Sequence, residues 1–342
     1  MFKLIKVDFY DEFACMMSDC PDNCCDEEWD IYIDNETLEL YRKIGVPDLS
    51  DKITETEPHK LIKHNGKCPF ITPEGLCIFH RDYGEDYLSN TCRSYPRFVS
   101  TYGDVYLETL GMSCPATVRH VLNMTEPVAF PSKVYYEDGD EIGKVPEMTE
   151  AENTAYGIMK CLKPSDSTIS TYIQLYSEYS KSMPDLASRG HILSRIREKT
   201  IGTPSENYAG DLFPDEYINS SGTDKSVLDE SSLYEIEEKL NRSNRCFSCN
   251  VNRMIMFEHL MLDSKCEVPD KGRIILQGLF AWVLLLMSFE CIDTDADVFS
   301  DEEMIDRTYK LMRIIDHGGS VLNNFKIFLN QGLSITDVIR YT

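Results

Sequence analysis

Eight of the 13 cysteines in this 342-residue chain fall between Cys15 and Cys114. They are Cys15, Cys20, the adjacent pair Cys24-Cys25, Cys68, Cys77, Cys92 and Cys114, and prolines follow three of them at Pro21, Pro69 and Pro115. Thiols at this density serve either a disulfide framework or a soft metal site, and the redox compartment decides between them. The opening run Met1-Phe-Lys-Leu-Ile-Lys-Val-Asp turns acidic within eight residues, so it does not read as a secretory leader. A cytoplasmic chain keeps its thiols reduced, so metal ligation is the expectation. Lone cysteines behave as small buried apolar groups, which is the reading for Cys161, Cys266 and Cys291.

The spacing is Cys-x4-Cys-x3-Cys-Cys, then Cys-x8-Cys-x14-Cys-x21-Cys. A structural zinc site usually has two close cysteine pairs, and only Cys20/Cys24 fit that pattern. Adjacent residues tend to point apart, so Cys24 and Cys25 should not both reach one small ion. Two arrangements remain: two four-thiolate sites sharing the Cys24-Cys25 knuckle, or one cluster with the other thiols packed around it. An iron–sulfur cluster of the 4Fe-4S kind accepts ligands from more distant loops than a single zinc ion does, with zinc as the alternative. The lone Cys246-Phe-Ser-Cys249 motif lacks a strand–helix thioredoxin context and reads as core or capping positions.

The chain is long enough for two domains. Its net charge of −24 and pI near 4.6 repel phosphate backbones and favour lysine-rich partners over nucleic acid. The most apolar run, Ile274 to Phe289, is 16 residues long. That is short of the roughly 20 needed to span a bilayer, so it reads as a core helix and not as a membrane anchor.

Around the cysteines, a strand is expected over Asp30–Ile33. A helix capped at Asp34-Asn35 follows and stops at Gly45. Thr72-Pro-Glu-Gly75 is a turn, and a short helix is expected from Gly84 to Cys92. Phe98 to Leu110 reads as a hairpin turning at Gly103-Asp104. Ser113 should cap a helix that has Pro115 in its first turn and Val118, Val121 and Leu122 facing inward. The cysteines thus lie on loops and element ends, where a metal can gather them.

From Pro127 to Pro146 proline and glycine mark a boundary, after which helical patterns dominate. These cover about 148–162, 168–182, 186–199, 232–242, 249–264, 273–290, 301–316 and 321–330, with a loop or linker around 202–226. The fold class expected is mostly α. A loop-rich cysteine-cluster domain with a small β-hairpin occupies 1–130, and an all-α helical bundle occupies 131–342.

Several blocks in series resemble the flagellin lysine-N-methylase family and are related in pattern to zinc- or iron-chelating cysteine-cluster domains. They are Phe13-Ala-Cys15, Cys20-x3-Cys24-Cys25 with Trp29 and Asp34 following, Gly66-Lys-Cys68-Pro-Phe and Glu74-Gly-Leu-Cys77. Next come Gly84-Glu-Asp-Tyr-Leu-Ser89, Thr91-Cys-Arg-Ser-Tyr-Pro-Arg97 and Ser113-Cys-Pro115. The resemblance implies methylation of surface lysines on flagellin, with S-adenosylmethionine as donor and an iron–sulfur cluster on the clustered cysteines.

An amine attacks a sulfonium methyl only when neutral, so a base is needed. The candidates are Tyr95 and Asp30, with Asp34 and Glu108 behind them. Tyr95 leads because it lies in the strongest motif, and the competing reading is a ring that only packs. Arg93 and Arg97 either hold the donor's carboxylate or offset the charge of a thiolate cluster. There is no Gly-rich dinucleotide-type loop and no Cys-x3-Cys-x2-Cys triad of radical chemistry. The competing function is a non-catalytic zinc- or iron-binding protein or metal carrier.

Overall fold

Strand β1 (Phe2–Lys6) opens the chain and finds its partners far along it. Strands β2 (Arg97–Tyr102) and β3 (Val105–Leu110) form the expected hairpin, turning at Gly103 with φ +56. A fourth strand, β4, covers Ser132–Tyr135. The sheet order is β2-β3-β1-β4, with β1 parallel to β3 and antiparallel to β4. The small hairpin foreseen from sequence is therefore part of a four-stranded mixed sheet. A parallel pairing between segments so distant in sequence has no turn to announce it. The computed structural model describes residues 1–25, 29–64, 66–136, 157–177, 206–213, 230–262, 271–292 and 295–317.

The sheet fixes where the cysteine stretch begins and ends. Chain leaves β1 at Lys6 towards Cys15, enters β2 at Arg97 straight from Cys92, and leaves β3 at Leu110 towards Cys114. Because β1 and β3 are parallel and β2 is antiparallel to β3, these three ends share one edge of the sheet.

Between them the chain builds a small core of Ile31, Ile33, Leu38, Tyr41, Ile53, Cys68, Phe70 and Phe79. The Tyr41 and Phe79 rings stack at 3.9 Å. Helix α1 (Asn35–Lys43) starts where the Asp34 carboxylate accepts from the Thr37 N–H, and Gly45 at φ +74 follows its end. The strand expected over Asp30–Ile33 reduces to the single bridge of Tyr32 with Lys60. Short helices α2 (Leu49–Lys52), α3 (Ile78–Asp82) and α4 (Asn90–Ser94) complete the unit. Ser89 caps α4 by accepting from the Cys92 N–H. Helix α5 (Pro115–Asn123) buries Val118, Val121 and Leu122 as expected, but its N-cap is Cys114 and not Ser113. Proline takes the first helical position, which sets the cap on the residue before it.

The helical part comprises residues 157–161, α6 (Thr168–Ser177), α7 (Glu206–Leu212), α8 (Glu230–Ser243), α9 (Phe247–Leu262), α10 (Lys271–Glu290) and α11 (Asp301–His317). The described residues are thus mostly helical with a small sheet, in line with the expected class. Helix α10 is central, packing against α6, α8, α9 and α11 with Leu279 to Met287 buried. No helix among the described residues is long and apolar enough to cross a membrane. Helix α9 also meets β2, β3 and α5, so one apolar core runs from Ile5 and Leu107 of the sheet into Trp282 and Ile315 of the helices. Helices expected at 186–199 and 321–330 lie outside the described residues, as does most of the loop expected over 202–226, within which α7 is helical.

Candidate functional site

The eight clustered cysteines are all free thiols, and the fold brings them into one neighbourhood. Cys24 feels Cys15, Cys20 and Cys114, whereas Cys25 feels Cys24, Cys68 and Cys92, and Cys77 adds to Cys68 and Cys92. Cys24 also bears on Cys77 and Cys92, so the knuckle joins the two groups. Burial pushes the Cys68, Cys92 and Cys114 thiols up to about 12, 11 and 11, and neighbouring sulfurs add to this. Cys25 is raised further, by its hydrogen bond with Cys24 and then by burial.

Among the described residues, no three His, Cys, Asp or Glu side chains already stand in the geometry of a bound ion. The sulfurs share a pocket, not yet a coordination shell. The donor set nonetheless fits a thiolate-bound metal or iron–sulfur cluster. Soft ligands converge in a desolvated place where thiolates are penalised, and a cation would reverse that penalty.

A residue that sequence reasoning missed ties this pocket to the helices. Arg313 of α11 is 1% exposed. Its guanidinium donates from Nε to the Ser113 carbonyl at 3.0 Å and from Nη2 to the Asp22 carbonyl at 2.8 Å. Nη1 pairs with the Asp22 carboxylate at 2.8 Å and also donates to the Tyr208 hydroxyl. Its Cζ lies 5.7 Å from the Trp29 ring and 5.0 Å from that of Tyr309. Asp22 sits between Cys20 and Cys24, and Ser113 precedes Cys114, so one side chain holds both cysteine loops. The signal in the sequence was a charge inside the apolar run Leu311-Met312-Arg313-Ile314-Ile315.

The other candidates divide. Tyr95 belongs to the pocket: its hydroxyl donates to Ser113 Oγ at 3.4 Å and its ring lies 5.8 Å from Trp29. Burial, then the neighbouring Cys114, raises the phenol well above its usual pKa. Asp30 is on the surface, paired with Lys60 at 2.5 Å. Asp34 is used as the α1 cap and also accepts from the Asn90 N–H at 3.0 Å. Burial works against its charge, but the bonds from Asn90 and Thr37 hold the carboxyl below its usual range. Glu108 sits in β3 opposite Lys6, with its carboxyl raised by burial. Arg97 donates to the Arg93 carbonyl and lies over the Tyr10 and Phe13 rings. Arg93 bonds Leu88 O and Asn90 Oδ1, while its buried Nε has no partner among the described residues.

Two carboxyls complete the site from the helical side, and sequence reasoning named neither. Glu258 of α9 is 4% exposed, and its Oε1 accepts from the Met112 N–H at 2.7 Å. Asp316 lies in the last turn of α11, where the neighbouring Ser113 side chain works against the effect of burial on its carboxyl. Their remaining oxygens, Glu258 Oε2 and Asp316 Oδ2, are buried without a hydrogen-bond partner among the described residues. Burial raises both carboxyls, and the charge of Asp316 raises Glu258 further.

The remaining thiols are separate from the pocket. Cys246 and Cys249 are buried and donate to the Thr125 and Leu162 carbonyls, each at 3.2 Å. Cys161 is exposed, contrary to the buried position expected of it, because residues 160 and 161 fall on the outer face of their helix. Cys291 is half-buried, and Cys266 lies outside the described residues.

No family model matches the chain, and no solved structure does. Among curated proteins it is similar to the flagellar biosynthetic protein FliU of Salmonella muenchen. The two are 28% identical over 138 residues, covering 36% of this chain and 80% of that protein. It is also similar to the lysine-N-methylase of Salmonella typhimurium, 28% identical over 138 residues, and to that of Salmonella choleraesuis at the same identity. The chain spans 34% of the length of each lysine-N-methylase it matches. Over about 36% of its length, the chain is thus similar to curated proteins named lysine-N-methylase and flagellar biosynthetic protein FliU.

Proposed function

We propose that the chain is a protein lysine N-methyltransferase acting on surface lysines of flagellin. S-adenosylmethionine would be the donor, and the clustered cysteines would hold an iron–sulfur cluster. The observation that carries this reading is the joint one. Curated relatives are named lysine-N-methylase, and two cysteines of the resembling blocks, Cys24 and Cys114, lie near Tyr95, whose hydroxyl donates to Ser113.

The chemistry sets the requirement. Lysine has a reference pKa near 10.4, so holding the amine neutral at pH 7 costs roughly 4–5 kcal/mol. The sulfonium donor supplies an electrophilic methyl group when bound. The chain's own part is to position the amine and take its proton in a pocket sheltered from water. We assign to Tyr95 the hydrogen bond that orients the amine, beside Trp29 whose ring can cover an aliphatic lysine stem. Arg93 Nε, buried and without a partner among the described residues, is the donor left for a carboxylate of the methyl donor. Arg97, already lying over Tyr10 and Phe13, is a packing cation. Cys15, Cys20, Cys24 and Cys114 would ligate on one side of the knuckle and Cys25, Cys68, Cys77 and Cys92 on the other. The acidic surface suits a lysine-bearing partner.

Anaerobically purified protein, incubated with the donor and flagellin, should add methyl groups to flagellin lysines and should be brown from its cluster. Unmodified flagellin with the cluster intact would defeat the enzyme reading and leave a metal-binding or carrier protein, which the exposed Cys15 would suit. A colourless, zinc-loaded protein would defeat the cluster.

A further inference from the structure

We propose that the cavity beside α4, walled by Tyr32, Asp34, Glu57 and His59, binds a lysine or arginine side chain of the polypeptide substrate that flanks the lysine to be methylated. The inference rests on the methyltransferase reading above and names what holds the substrate in register. The cavity has a volume of about 650 Å3, and Asn90 and Thr91 of α4 also line it. Three observations carry the assignment.

The first is what the wall offers. Several of its donors are spent within it. The Ile33 N–H bonds the His59 carbonyl at 2.9 Å, the Thr91 hydroxyl the Tyr32 carbonyl at 3.0 Å, and the Asn90 N–H the Asp34 carboxylate at 3.0 Å. Asn35 Nδ2 donates to Glu57 Oε1 at 2.8 Å. His59 meets the Thr54 carbonyl through Nδ1 at 2.8 Å, so Nδ1 carries the hydrogen and Nε2 of the neutral ring is an acceptor. Glu57 Oε2 and His59 Nε2 have no hydrogen-bond partner among the described residues. Two carboxylates and free acceptors call for a cationic donor.

The second is the aromatic wall. Tyr32 is 44% exposed, large for a tyrosine with no partner protein in view. The chain's own Lys60 places its Nζ 5.1 Å from the centre of that ring, which shows the ring accepting an ammonium. Asp30 meets the Lys60 charge at 2.5 Å, so Asp34 and Glu57 remain for an incoming cation.

The third is position. Helix α4 carries Cys92 and ends at Tyr95, whose N–H donates to the Thr91 carbonyl at 3.2 Å. The cavity wall and Tyr95 are thus the two ends of one helical turn, with backbones about 6 Å apart along its axis. An extended polypeptide advances about 3.3 Å per residue and alternate side chains share a face. A basic residue two positions from the target lysine spans that gap.

Other occupants fit less well. The methyl donor brings a carboxylate of its own, which Asp34 and Glu57 repel. For a divalent ion, no three His, Cys, Asp or Glu side chains among the described residues stand in ligating geometry.

The test uses the full chain, metal-loaded, and two fluorescently labelled synthetic peptides, Lys-x-Lys and Lys-x-Gln in an otherwise neutral background. Binding is read by anisotropy with no methyl donor present. The wild type should prefer Lys-x-Lys by about tenfold. Glu57→Gln and Tyr32→Ala should each abolish most of that preference. Glu302→Gln, which removes an exposed carboxylate on α11, should keep it. No preference in the wild type, or a preference that both cavity variants retain, would overturn the inference. So would a loss shared by Glu302→Gln, since overall acidity would then suffice. Should Tyr32→Ala fail to fold, Glu57→Gln decides. Calorimetry with S-adenosylhomocysteine separates the remaining occupant. Binding weakened by the cavity variants, with the peptide preference intact, would give the cavity to the methyl donor and overturn the inference. A preference that behaves as expected, on peptides that are never methylated when the donor is added, would support the cavity and overturn the methyltransferase reading instead.

Discussion

Arg313 shows how much one buried charge can organise. It cannot give up its proton, so its place among Asp22, Ser113, Tyr208 and three aromatic rings is a fixed cation at the back of the cysteine pocket. Removing one partner of such a buried pair costs about 3–5 kcal/mol. Arg313→Met should therefore lower the unfolding free energy, read from denaturant titration, by that amount, and Arg313→Lys should rescue little, since an ammonium cannot reproduce the fork. A loss under about 1 kcal/mol, the range of exposed pairs, would contradict this. At the knuckle, Cys24→Ser and Cys25→Ser should each lower bound iron. Their effects should combine with different partners, Cys114 for the first and Cys68 for the second. Asp316 supplies a stability prediction with a definite sign. A carboxyl raised in the fold favours folding most below its unfolded value, about 3.9, and that stability is lost as the pH rises through the raised value. Asp316→Asn should thus gain on the parent at about pH 8, at ~1.4 kcal/mol for each unit of the shift. Equal midpoints there would refute it. Cysteines and Tyr95 were legible from sequence because type and spacing carry them. Arg313, Glu258 and Asp316 were not, since each looks like an isolated charge in a helix until packing shows what it faces.

At the scale of elements, close approach and capping decide most. Gly278 lets α10 settle against α6 and α9, and a Cβ there would stand 2.6 Å from both Tyr172 Oη and Met256 Sδ. Gly278→Ala should cost roughly 1–3 kcal/mol by overpacking, measured as a fall in the denaturation midpoint, and a neutral result would mean that the helices can part. Glu237 of α8 receives Ser167 Oγ, the Thr168 and Ile169 N–H groups and Trp282 Nε1, so it caps α6 and anchors α10 together. The helix after Asp34, the hairpin at Gly103 and the apolar α10 could be read in advance, because caps, turns and periodicity are local signals. The joining of β1 to β3 could not, because nothing within either strand names the other.

For the whole molecule, the shared core means that the cysteine loops hang from the same sheet that packs on the helices. Metal binding at the thiols and folding of the described helices are then linked, and loading should raise the unfolding midpoint of the whole chain. Unfolding in two separate transitions, with only the first moved by metal, would argue that the loops fold independently. The sequence suggested a division near residue 130 from its run of prolines and glycines. Composition marks where a chain bends, and only packing shows which side chains share a core.

The two tryptophans divide the molecule into near and far. Trp29 lies by Tyr95 and the Arg313 guanidinium at the cysteine pocket, whereas Trp282 is wholly buried and bonded to Glu237 at 2.8 Å. The protein thereby carries its own pair of optical reporters. Bound iron should quench the emission of the first and leave the second bright, so metal loss and unfolding would register as separate events in a single fluorescence trace.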